Sequence, residues 1–178
     1  MSFFTHAFEA EIVRHPIGNG ARIVHYTVVY LPPAMVSQLP FDAHPRLRVT
    51  GEIADVPVEG AWQPAGDGRR YLMVPKVVFE DAGVAVGDRV EVRFKVGDQD
   101  AVDVPDALGR LLEGDEELAA KWVALTPGAR RAFAHRVRSA KTEPTIVKRV
   151  GEVAHMVREG LRYGKGGSVR KRNPERST

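Results

Sequence analysis

"DRVEVRFKV", residues 88–96, decides the fold. Val90, Val92, Phe94 and Val96 fall on one side of an extended chain, and Arg89, Glu91, Arg93 and Lys95 fall on the other. A strict period of two is a strand with one dry and one wet face. Such strands belong to antiparallel sheets and barrels, not to parallel sheets buried between helices. The run before it, "VPKVVFEDAGVAVG" (74–87), supplies a corner. Pro75 opens a helical turn, Gly83 stops it, and Gly87-Asp88 turns the chain into the strand.

Working outward, the same period recurs. Residues 3–14 place Phe4, His6, Phe8, Ala10 and Ile12 on one side, which predicts a single half-buried strand. Pro16 to Gly20 reads as a turn, and 21–31 is β-branched and aromatic, which predicts a second strand. Pro32-Pro33 opens a short helix near AMVSQL. Segments 46–55 and 56–64 alternate again, and Gly66-Asp67-Gly68 turns the chain into a strand at RRYLMV. About six short strands with frequent turns predict a small antiparallel barrel crossed by one short helix, in an α+β chain.

The texture changes near Val104-Pro105. PDALGRLLEG and DEELAAKWVAL read as helices, the second with acids at its positive end. Thr126-Pro127 caps a third helix running to about Lys141, and the last covers about 144–160 with Gly160 as its stop. Past Tyr163 the composition is too polar to fold alone. The expected organisation is a barrel over 1–103, a helical domain over 104–163 and a disordered basic tail over 164–178.

Composition excludes several chemistries. There is no cysteine, hence no disulfide, thiolate metal site or cysteine nucleophile. No apolar run is long enough to span a bilayer, and the N-terminus alternates instead of forming a signal sequence, so the expected location is the cytoplasm. The six histidines lack HExxH spacing, and the acids Asp98, Asp100, Asp103 and Asp106 lack the calcium-loop pattern, so no metal is assigned. Asp103 reads instead as a helix cap. No GxSxG elbow or GxGxxG loop occurs, so no catalytic residue and no cofactor are assigned. Charge is uneven. Residues 1–124 hold 12 Lys/Arg against 19 Asp/Glu, or −7, while 125–178 hold 14 against 4, or +10. The basic third, with Arg130, Arg131, Arg136, Arg138, Lys141, Lys148 and Arg149, reads as a solvated or internally paired face, or as a phosphate-binding one.

A family resemblance rests on Arg48-Val49-x-Gly51, Gly66-Asp67-Gly68-Arg69, Pro75-Lys76, Ala82-Gly83, Gly87-Asp88-x-Val90 and Pro105. These residues resemble the bacterial domain of unknown function family DUF1905. Leu125-Thr126-Pro127, Arg130-Arg131, Ala140-Lys141, Glu143, Thr145 and Arg149-Val150 resemble a helical domain named for bacteriocin protection and for YdeI or OmpD association. That family usually carries Thr-Arg where this chain has Thr145-Ile146, so any ligand role of the arginine is absent here or passes to Lys148 or Arg149. A shorter resemblance, "YLMVPKVVFEDAGVAVGDRVEV" (71–92), is to AbrB-like DNA-binding regulators.

The leading reading is a non-enzymatic module that binds an unidentified ligand or protein, with the stress or bacteriocin-protection role the resemblance implies. The alternatives are a DNA-binding regulator using the basic third, and an enzyme with a barrel-mouth pocket. Candidate binding residues are His25, Tyr26, Tyr30, Arg69 and Lys76 in the barrel, and Lys141, Thr145 and Arg149 in the helices. Oligomeric state is open at this level.

Overall fold

The computed structural model describes residues 3–18, 23–163 and 169–171. The chain divides into two units, Met1–Gln99 and Asp100–Thr178.

The first unit holds β1 (His6–Glu11), β2 (Val13–Ile17), β3 (Val24–Tyr30), α1 (Pro33–Val36), β4 (Leu47–Ile53), β5 (Val56–Pro64), β6 (Arg70–Met73), α2 (Lys76–Ala82) and β7 (Arg89–Val96). All seven strands form one curled antiparallel sheet in the order β1-β7-β4-β5-β6-β3-β2. The alternation at 88–96 appears as Val90, Val92 and Phe94 buried between more exposed neighbours. They meet Val49, Ile53, Val58 and Trp62 from β4 and β5 in a core closed by Val78 of α2. Gly83 ends α2 at φ 68°, a left-handed conformation that glycine adopts without a Cβ clash, and its N–H reaches the Phe79 carbonyl at 3.1 Å.

The first strand differs from its reading in one respect. It is used twice. Residues 6–11 pair with β7 and residues 13–17 pair with β3, so the two ends of the sheet order are consecutive pieces of chain separated by Ile12. Ile12 stays bonded at this bend: its N–H donates to the Asp88 carbonyl at 2.9 Å, and its carbonyl accepts from Gly87 N–H at 2.8 Å. The residues just before β7 thus take over where the ladder stops. Pro16 and Ile17, expected in a turn, lie in β2 opposite His25 and Val24. β2 stands at the end of the sheet order, where a proline's missing donor is tolerated. Residues 19 and 20 of that turn, and 21 and 22 of the strand expected over 21–31, lie outside the described residues.

The second unit holds α3 (Asp106–Gly114), α4 (Glu116–Val123), α5 (Pro127–Arg138) and α6 (Glu143–Arg158), followed by β8 (Leu161–Tyr163) paired with β9 (Val169–Lys171). β9 falls in the segment read as a tail; the rest of that segment, 164–168 and 172–178, lies outside the described residues. Leu108, Leu118, Trp122, Phe133, Val153 and Val157 form the core. Thr126 caps α5 through Ala129 N–H at 3.3 Å, with Pro127 at the first helical position. Asp103 is not a cap, contrary to its reading. Pro105 occupies the cap position of α3, and the Asp103 carboxylate pairs with Arg138 at 2.6 Å.

Asp115 is the working cap of α4. Its Oδ1 accepts from Leu118 N–H at 2.9 Å and its Oδ2 from Arg158 at 2.5 Å. The backbone bond first, and Arg158 second, hold this carboxyl below the usual aspartate range. A depressed folded-state pKa gives stability that is present above the unfolded value, about 3.9, and is lost as pH falls through the folded one. Asp115→Asn keeps a capping oxygen but cannot titrate. We expect thermal melts of this variant to lose part of the wild-type acid-side decline below about pH 4; an unchanged acid limb would remove Asp115 as its source.

Candidate functional site

The site grows from the alternation of β3. Val29 points into the sheet core, so Tyr26, Val28 and Tyr30 share the opposite face. Register places His15 of β2 beside Tyr26, and Tyr71 of β6 beside Tyr30. His15 is 7% exposed, the one buried polar side chain among the described residues. Its Nδ1 lies 2.6 Å from the Tyr30 hydroxyl, and its ring lies 4.7 Å from that of Tyr71. A buried imidazole needs such a partner, because an unmatched one loses its hydration without compensation. Burial pushes the Tyr71 hydroxyl pKa upward.

Arg69 lies over this layer, its guanidinium carbon 4.1 Å from the Tyr30 ring centroid. The turn that delivers it needs glycine at two positions, Gly66 at φ 90° and Gly68 at φ 87°. Asp67 between them locks the arginine. Its Oδ1 accepts Arg69 N–H at 3.0 Å, and its Oδ2 accepts Arg69 Nε at 2.8 Å and lies 2.6 Å from Nη2. The side-chain bond to Arg69 holds the Asp67 carboxyl below its usual range, and the same bond raises Arg69. Beside this pair opens a pocket of about 340 Å³, with Leu31, Pro33 and Val36 as its apolar wall and Asp67, Gly68 and Arg69 as its polar wall. Its size is at the low end of the roughly 300–1,000 Å³ usual for ligand pockets.

The residues expected at a site divide. Tyr30 and Arg69 come together, and Tyr26 shares their face close enough to raise the Tyr71 pKa. His25 is exposed on the other face of β3. Lys76 is also out of reach: its side chain is 86% exposed and pairs with Glu80 one helical turn on, at 2.5 Å. In the helical unit, Thr145 Oγ1 lies 2.8 Å from Thr142 Oγ1. Arg149 donates to the Arg136 carbonyl at 2.9 Å and to Ser139 Oγ at 2.8 Å, where a cation complements the C-terminal end of α5. Lys141 is exposed in the α5–α6 connection, with no partner among the described residues. The sequence reading passed over His15, which stood at the edge of an assigned strand, and Asp67, which read as a turn residue only. The spacing of Asp67 and Arg69, two residues apart across Gly68, was the available signal.

Among the described residues no cluster of three His, Asp or Glu is arranged to hold a metal ion, and no helix is long and apolar enough to cross a membrane.

A curled antiparallel sheet followed by a helical unit defines an α+β two-unit protein. Comparison with family models resolves it further. Residues 8–94 match the Domain of unknown function (DUF1905), and residues 101–160 match Bacteriocin-protection, YdeI or OmpD-Associated. In chain order, a stretch similar to DUF1905 is thus followed by one similar to the YdeI/OmpD-associated domain. No curated protein matches the chain.

Proposed function

We propose that the DUF1905 unit is a non-enzymatic binding module, and that its ligand sits in the pocket between α1 and the Gly66–Arg69 turn. The observation that carries this is the Asp67–Arg69 pair, locked by three contacts and stacked on Tyr30 before any ligand arrives. Preorganised polar groups beside an apolar wall favour a small molecule, or the end of a protein segment, with an apolar body and one polar end. Proton transfer by Asp67 is disfavoured by the same pair. A proton-transfer group works best with a pKa near the operating pH, and Asp67 is shifted away from it. In this reading the bacteriocin-protection name reflects holding a ligand or partner, not converting it, and the protein is cytoplasmic. A chain with no cysteine supports that location.

A nucleic-acid role has weaker support. Arg136, Arg138, Arg149 and Arg158 all donate within the helical unit, which reduces the charge left for phosphates.

Benzoate, benzylamine and benzyl alcohol share one apolar body and differ in the polar end, so they make a direct test. Titrated into the ¹⁵N-labelled protein, at least one should shift the amides of Leu31, Val36, Gly68 and Arg69. Arg69→Ala should weaken benzoate or benzyl alcohol by about tenfold, the scale of one charge-assisted hydrogen bond, and should not weaken benzylamine. Undisturbed amides with all three probes at millimolar concentration, or turnover of a bound compound, would overturn the proposal.

A further inference from the structure

The helical unit has a pocket of its own, about 240 Å³, where the N-terminal turns of α3 and α6 meet the end of α5. Val137 and Ile146 give it apolar surface, and Asp106, Arg110, Arg138 and Glu143 give it charge. The charges are not equivalent. Arg138 is tied to the Asp103 carboxylate at 2.6 Å and to the Asp103 carbonyl at 2.5 Å. Asp106, Arg110 and Glu143 make no ion pair among the described residues.

Asp106 and Arg110 stand four apart on one helix, the spacing at which acid and base normally meet. Glu117 and Lys121, at the same spacing on the next helix, do meet at 2.8 Å. Arg136 and Glu152 also pair, at 3.0 Å. Around the pocket, charges of both signs stay apart beside apolar surface.

We propose that this pocket binds a small zwitterion, an α-amino acid with an apolar side chain. The planar fork of Arg110 suits a carboxylate. Asp106 and Glu143 suit an ammonium group, and Val137 and Ile146 suit the side chain. The volume is below the usual range for ligand pockets, which restricts the occupant to a molecule of this size. The site is separate from the Arg69 pocket and does not depend on it.

Calorimetric titration of the full chain tests the proposal with three compounds. L-Leucine carries both charges, isopentylamine lacks the carboxylate, and 4-methylpentanoate lacks the ammonium. Leucine should bind at least about tenfold tighter than either. Arg110→Ala should weaken leucine and 4-methylpentanoate while leaving the amine unchanged. Glu143→Gln should weaken leucine and isopentylamine while leaving the acid unchanged. Both side chains are exposed, so both variants keep the wild-type circular dichroism. Equal binding of 4-methylpentanoate and leucine would make this a plain anion site and end the proposal. So would an absence of heat with leucine at millimolar concentration, or leucine binding that ignores Arg110→Ala.

Discussion

Replacing Trp62 by alanine lowers the stability of the first unit by about 3–5 kcal/mol, the range for truncating a large buried aromatic. Trp62 is 0% exposed at the centre of the sheet core, with the rings of Phe94 and Phe8 at 5.4 and 6.0 Å. The vacated volume has no neighbour able to fill it, because the facing residues are fixed by their strands. Trp62→Phe is the informative companion. The indole Nε1 is buried with no hydrogen-bond partner among the described residues, and an unmatched buried donor costs about 1–3 kcal/mol. Phenylalanine keeps most of the ring and removes that donor, so its cost is about 1 kcal/mol or less. Urea denaturation followed by far-UV circular dichroism measures both. A phenylalanine variant as unstable as the alanine one would mean the indole N–H is matched after all.

Gly51→Ala is the second large effect, from overfilling instead of emptying. Gly51 faces Phe94 where β4 crosses β7. A Cβ there would stand 2.2 Å from the Arg93 carbonyl oxygen, 2.8 Å from Phe94 Cβ and 3.0 Å from Phe94 Cα. Two of the three atoms are backbone, so relief requires moving one strand of the pair. Overpacking commonly costs about 1–3 kcal/mol, and a backbone collision belongs at or above the top of that range. Gly60→Ala is the control. Its Cβ would meet Leu72 Cδ1 at 2.7 Å, the far end of a side chain that can rotate away, so about 1 kcal/mol is expected. A Trp122→Phe background makes Trp62 the sole tryptophan, and its fluorescence then reports the first unit. Equal midpoints for the two glycine variants would refute the distinction.

Features set by local chemistry were legible in the sequence. The alternation at 88–96, the Gly83 stop and the Thr126-Pro127 start each depend on a few adjacent residues, and each appears where the pattern put it. Features set by distant contacts were not. Ile12 carries no glycine or proline to mark a bend; the bend exists because Gly87 and Asp88 accept it. Ala54 and Asp55 form the two-residue turn between β4 and β5 with positive φ at both, without the Asn or Gly that usually signals it. Asp55 instead pairs with Arg93 on β7, again a long-range contact. The candidate site follows the same division. Arg69 and Tyr30 were residue types worth inspecting, but their stacking, and the burial of His15 behind them, come from strand register. Lys76 pairs with Glu80, one turn along the same helix.

The divided strand also orders events during synthesis. Val13–Ile17 find their partner in Val24–Tyr30, only a few residues later. His6–Glu11 must wait for Arg89–Val96, because among the described residues β7 is the only strand they pair with. At ordinary elongation rates of about 5–20 residues per second, that gap is several seconds in which the segment has emerged without its ladder partner. Within the first unit the strand made earliest is thus the last to be paired, because β7 is the final strand of that unit.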